Sequence, residues 1–142
     1  KIVKMKQMNE SSSSTINSYN VKSKYFKKKS LFLFSSKNKN FFSEIDVKQV
    51  SLSNYMIEKN INEIDFIKID TEGYEYYVLK GLQNQFKKIK LILFEHHYDN
   101  MLIKNYKFKD IHNFLIKYKF KQIYKYKMAF RKTFEYVYEL QE

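Results

Sequence analysis

Residues Ile64 to Gly81, IDFIKIDTEGYEYYVLKG, constrain this chain more than any other stretch. After Ile64, Phe66 to Asp70 carry apolar and charged residues in near alternation, with β-branched Ile67 and Ile69 inside the run. That is the pattern of a buried or half-buried strand. Thr71-Glu72-Gly73 follows as a short turn carrying a carboxylate and a glycine. Tyr74, Val78, Leu79, Leu82 and Phe86 then recur at helical spacing, predicting a helix of about 13 residues. It ends near Lys87-Lys88, where cations suit a helix C-terminus. The unit is strand, acidic turn, helix. In open α/β sheets ligands bind beyond the carboxyl ends of strands. Asp70 and Glu72 stand at such an end, so a site is expected there first.

The rest of the chain supplies partners for this unit. Ile2, Val3, Met5 and Met8 alternate weakly, as one strand. The polar stretch NESSSSTINSYNVKSK (9–24) reads as a loop, because serines hydrogen-bond their own backbone. Leu31 to Phe34 is a short apolar run, and Val47 to Val50 reads as a short strand. Leu52, Tyr55 and Met56 repeat at helical spacing behind Ser51, an N-cap residue, and Asn60-Ile61-Asn62 closes that helix. Leu91 to Phe94, LILF, is the continuous apolar run of a strand buried on both faces, and it ends in Glu95-His96-His97. Ile111, Phe114, Leu115 and Tyr118 place an amphipathic helix at 109–119. Phe120 to Met128 and Phe134 to Leu140 read as strands joined so closely that they must be antiparallel. From residue 64 the order is strand, helix, strand, helix, strand, strand. The first three are expected parallel through right-handed crossovers.

Composition bounds the partners. The 142 residues suit one domain, with 1–50 as a loop-rich lead-in and 51–142 as the α/β core. Net charge is +12, which invites a nucleic-acid or anionic-glycan partner. Arg131 is the single Arg, however, and Lys is a solvated point charge rather than the fork that reads bases and phosphates. Nucleic acid is therefore disfavoured, and a non-catalytic basic binding domain stays as the alternative. With no Cys, disulfides and thiolate metal sites are excluded. No apolar run approaches the roughly 20 residues of a spanning helix. A cytoplasmic setting is compatible with both facts. Lys1 in place of an initiator Met suggests a piece of a longer chain.

The chemistry gathers at two strand ends. Asp70 and Glu72 follow one strand, and Glu95, His96 and His97 close the other. If the two strands are neighbours, these five groups share one crevice. A carboxylate there can hold an amine or a hydroxyl or take its proton, and a His can act as a base near neutral pH. Asp70 could instead cap the next helix, and Glu95 could pair with a surface Lys. His112, on a helix, reads as a bystander. The ligand types would suit a metal, but adjacent strand residues His96 and His97 point to opposite faces, so no metal is expected.

Glu63 to Gly81, followed by Leu91 to Glu95, resembles the FkbM family of S-adenosylmethionine-dependent methyltransferases. The family's D-x-x-K-I-D-x-E-G-x-E-x-x-V-L-x-G is matched from Asp65 through Lys68, Asp70, Glu72, Gly73, Glu75, Val78 and Leu79 to Gly81. VSLSNYM (Val50 to Met56) is similar to the family's lead-in, with Asn54 at the usual Asp, and NESSSST resembles its upstream polar loop. The resemblance implies a Rossmann-like methyltransferase sheet, mostly parallel with an antiparallel last strand, and O-methylation of a sugar or secondary-metabolite hydroxyl. It implies Asp70, with Ser13 and Ser14 of the polar loop, at the S-adenosylmethionine site. Asp70, Glu72, Glu95 and His97 become the catalytic set, with Glu72 and His97 as bases. It also places the glycine-rich cofactor turn and the ribose-holding acid upstream of residue 1. No glycine precedes Gly73, so the expectation is the C-terminal part of a longer enzyme or an inactive remnant. Such a half-sheet would expose an edge strand and favour self-association.

Overall fold

A computed structural model describes residues 1–8, 14–24, 26–28 and 42–142. The elements are β1 (Ile2–Met8), β2 (Phe42–Lys48), α1 (Leu52–Glu58), β3 (Ile64–Ile69), α2 (Glu75–Lys80), a 3-10 helix (Gln83–Lys88), β4 (Ile89–His97), α3 (Phe108–Lys117), β5 (Phe120–Lys127) and β6 (Thr133–Leu140). The result is a mixed α/β domain. β1 and β2 pair antiparallel as a separate ribbon, from Ile2 opposite Lys48 to Met8 opposite Phe42. The other four strands form one sheet in the order β3-β4-β6-β5. Of the expected strand at 47–50, only residues 47 and 48 belong to a strand, the end of β2, and Leu31–Phe34 lies outside the described residues.

Only β3 and β4 are hydrogen-bonded in parallel; β6 runs antiparallel to both β4 and β5. The mostly parallel sheet expected from the sequence is therefore realised as one parallel pair, with the other ladders antiparallel. The cause is the short link between β5 and β6, which can only form a hairpin. β6 reverses direction and fits between β4 and β5, so β3, β4 and β5 still point the same way. Gln122 and Tyr124 flank a register shift opposite β6, which is why the alternation along β5 is imperfect.

The core lies on one face of the sheet. Ile92 and Phe94 of β4 and Tyr136 and Tyr138 of β6 pack there with Met56 of α1, Leu79 of α2, and Ile111 and Leu115 of α3. All of these are essentially inaccessible to solvent. Leu91 and Leu93, on the opposite face of β4, are only half-buried. Among the described residues the run LILF is thus fully covered on one side only. Phe66, paired with Leu91, is half exposed on the same face, since β3 is an edge strand.

The long helix expected after Gly73 is broken. α2 stops at Lys80, and Gly81 turns its carbonyl to the Ser53 N–H, 2.9 Å away at the start of α1. Gln83 then adopts φ 50° and the chain continues as a 3-10 helix. Leu82 and Phe86 stay buried through this change. The apolar spacing was therefore that of core contacts, and the docking of α1 on Gly81 decided the backbone path. Ser51 does cap α1, its Oγ accepting from the Asn54 N–H at 3.2 Å. None of the described helices is long and apolar enough to cross a membrane.

Candidate functional site

Where β3 leaves the sheet, the backbone turns through two left-handed residues, Glu72 (φ 47°) and Gly73 (φ 89°). A glutamate in that region is strained by about 1 kcal/mol, so surrounding contacts must hold it. Thr15 Oγ1 donates to the Glu72 carbonyl at 2.8 Å, and Asn17 Nδ2 donates to the Gly73 carbonyl. From inside, the fully buried Glu75 accepts from the Gly73 N–H (2.7 Å), the Thr71 hydroxyl (3.2 Å) and the Tyr106 hydroxyl (2.6 Å). Only glycine fits at 73. A Cβ there would lie 2.9 Å from Asn17 Nδ2 and 3.2 Å from Leu102 Cδ1.

β4 ends beside this turn. Its alternation sends Glu95 and His97 to one face and His96 to the other. His97 is enclosed by acids. Its Nε2 lies 3.3 Å from Glu72 Oε2 and 3.7 Å from Glu95 Oε1. Its Nδ1 is 3.1 Å from Thr133 Oγ1 and 3.8 Å from Asp99 Oδ2. Burial alone would lower the imidazole pKa. The charges of Asp99, Glu72 and Glu95 around it outweigh that, so the pKa moves above its ordinary value. Burial pushes Glu95 up to about 7, against the pull of His97 and with help from the charge of Asp70. Asp99 is driven up by burial, but the nearby His97 and the hydrogen bond from the Met101 N–H bring it below the usual carboxylate range.

Two clefts flank the cluster. The larger, about 850 Å³, runs between the β1–β2 ribbon and the strand–turn–helix unit, where Ser14, Asp70, Thr71 and Tyr74 reach it. The smaller, about 480 Å³, opens at the end of β4, where His96, His97 and Asp99 reach it. Asp70, partly exposed and 3.5 Å from the Lys68 ammonium, lines the larger cleft, and its charge is felt by Glu95.

Asp70, Glu72, Glu95 and His97, the four residues expected to be catalytic, thus lie side by side. Ser14 lines the large cleft with Asp70, while Ser13 lies outside the described residues. Asp70 does not cap α2; Glu75 organises that end. Sequence reasoning missed Glu75, Asp99, Thr133, Thr15 and Asn17. Glu75 carried a signal, as an acid placed between aromatic positions of an apolar helix face. Thr15 and Asn17 carried none, because a polar loop residue shows its partner only in three dimensions. His112 Nδ1 lies 2.7 Å from the Tyr138 hydroxyl. Among the described residues no group of three or more His, Asp or Glu is arranged to hold a metal ion.

Comparison with known proteins adds one finding. A family model described as the methyltransferase FkbM domain matches residues 3–127. No curated protein and no solved structure matches the chain.

Proposed function

The chain belongs to the FkbM methyltransferase family, and on that premise we propose that it moves a methyl group from S-adenosylmethionine to a hydroxyl of a sugar or secondary metabolite. When bound, that cofactor supplies an electrophilic methyl on a cationic sulfur. The large cleft fits such a group, with a volume in the small-molecule range. Asp70 offers a carboxylate to its positive charge, and Ser14 and Thr71 offer hydroxyls. Ser13, next in the same loop, is assigned with Ser14. The strand order, with β6 antiparallel beside β4, supports a methyltransferase sheet of Rossmann-like type.

The observation that carries this reading is the cluster in which His97 Nε2 lies 3.3 Å from Glu72 and 3.7 Å from Glu95, at the strand end where Asp70 lines the large cleft. Methyl transfer is an in-line displacement, so the protein aligns the two partners and removes the hydroxyl proton. Glu95, held near 7, accepts a proton close to neutral pH. Asp70 orients the hydroxyl and passes the proton inward. The neighbouring charges of His97 and Glu72 set how readily Glu95 takes that proton.

Calorimetry with S-adenosylmethionine on the full-length chain tests this, with Asp70→Asn beside it. A charge-assisted contact contributes about 1.5–3 kcal/mol, so the variant should bind roughly 10- to 100-fold more weakly. Absence of binding to the full-length chain, or equal affinity in the variant, overturns the reading.

A further inference from the structure

The small cleft shares His97 with the mechanism above but is otherwise outside it, and it has the features of a second binding site. His96 is 3% exposed and lines this cleft, yet its Nδ1 has no hydrogen-bond partner. A buried polar atom without a partner costs about 1–3 kcal/mol, so its persistence calls for a ligand that completes it. Its ring is neutral: burial, then Lys104 and His97, lower its pKa to about 3. A neutral imidazole nitrogen meets a hydroxyl, not a charge. Around it stand aromatic faces. The rings of Tyr98, Phe108 and Tyr106 lie 4.8, 5.9 and 6.0 Å from the imidazole. Such walls suit the flat face of a ring.

The electrostatic sign comes from Lys104, Lys107 and Lys109, which line the same cleft. Of the acids nearby, Asp99 accepts from the Met101 N–H at 2.9 Å through one oxygen, while its other oxygen stands 3.8 Å from His97 without a hydrogen bond. Asp110, in the first turn of α3, accepts from the Lys107 N–H at 2.7 Å. Lys104 donates to the His97 carbonyl and stands 5.7 Å from the Tyr106 ring centre, so it is fixed at the wall.

We propose that the small cleft binds a hydroxylated, ring-bearing small molecule that carries a phosphate or carboxylate. The ring lies against Tyr98 and Phe108, its hydroxyl meets His96, and its anionic group faces the three lysines. This goes beyond the methyl-transfer reading and does not depend on it.

Two probe pairs test it: 4-hydroxybenzoate against 4-hydroxybenzyl alcohol, and glucose 6-phosphate against glucose. Each is titrated into the protein while the His96 ring nitrogens are followed by NMR. At least one anionic probe should give a saturable shift at His96, with its neutral counterpart about tenfold weaker or more. The pair that responds tells an aryl acid from a sugar phosphate. Lys107→Glu with Lys109→Glu, both exposed and so no threat to folding, should cost the anionic probe about tenfold and leave the neutral one unchanged. A silent His96 with all four probes, equal binding within each pair, or indifference to the charge reversals overturns the proposal. S-adenosylmethionine is titrated into the same samples. Cofactor binding with a silent His96 refutes this inference alone, and anion binding without cofactor binding refutes only methyl transfer.

Discussion

Glu75 is the sharpest test of how the acidic turn is held. Its carboxylate is fully buried and accepts three hydrogen bonds, from Gly73, Thr71 and Tyr106. Glu75→Ala strands two buried donors, the Gly73 N–H and the Tyr106 hydroxyl, at about 1–3 kcal/mol each. The expected loss is about 4 kcal/mol, a large share of the 5–15 kcal/mol typical of a domain. With a urea m-value of about 2 kcal/mol/M, the unfolding midpoint should fall by roughly 2 M. The sharper readout is a double-mutant cycle. In the parent chain Tyr106→Phe removes a hydrogen bond to a carboxylate and should cost about 2 kcal/mol. In the Glu75→Ala background it removes an orphaned hydroxyl and should cost nothing, or stabilise by about 1 kcal/mol. The coupling is then about 2–3 kcal/mol. Equal costs for Tyr106→Phe in both backgrounds, or a Glu75→Ala loss below about 1 kcal/mol, would refute the reasoning.

Two further outcomes follow from the same region. Glu95 (about 7 against 4.5) and His97 (above 6.5) are both raised in the folded protein. Raised groups contribute stability that is complete below their ordinary values and is lost as pH climbs through the folded ones. Asp99, held low, loses its contribution only on the acid side. The thermal midpoint should therefore fall as pH rises from mildly acid values through neutrality, and Glu95→Gln should flatten the part of the fall below pH 7. A flat or rising midpoint would count against the assignment. Gly73→Ala places a side chain at φ 89° and 2.9 Å from Asn17 Nδ2. It should cost about 2–4 kcal/mol in urea unfolding, and a loss under about 0.5 kcal/mol would show that the turn yields freely.

Residues that act through local pattern were legible in the sequence. Ile67 and Ile69 marked β3, Ser51 marked the start of α1, and Ile111 and Leu115 marked the buried face of α3. The short link before β6 announced a hairpin. The meeting of Asp70, Glu72, Glu95 and His97 was legible too, because two parallel neighbours bring their carboxyl ends together. What was hidden depends on tertiary contact. Gly81 breaks the helix because α1 docks on its carbonyl. Thr15 and Asn17 latch a turn more than 50 residues away. Leu91 and Leu93 look like core in sequence, yet among the described residues they are only half-buried. Asp99 joins the cluster only because the chain bends back after β4.

The position of β6 has a consequence for how the molecule is made. Among the described residues β5 is hydrogen-bonded to β6 alone, and β6 is also what joins it to β4. During vectorial synthesis, β3 and β4 can pair as soon as both have left the ribosome, whereas β5 must wait, unpaired, for residues 133–140. Ile123, Tyr124 and Tyr126 of β5 are exposed even in the finished sheet, and an open strand of that kind is prone to associate with other chains. The family match stops at residue 127, before this strand begins. β6 is therefore the strand that joins β5 to the sheet, and His97 gains its Thr133 partner only once it is in place.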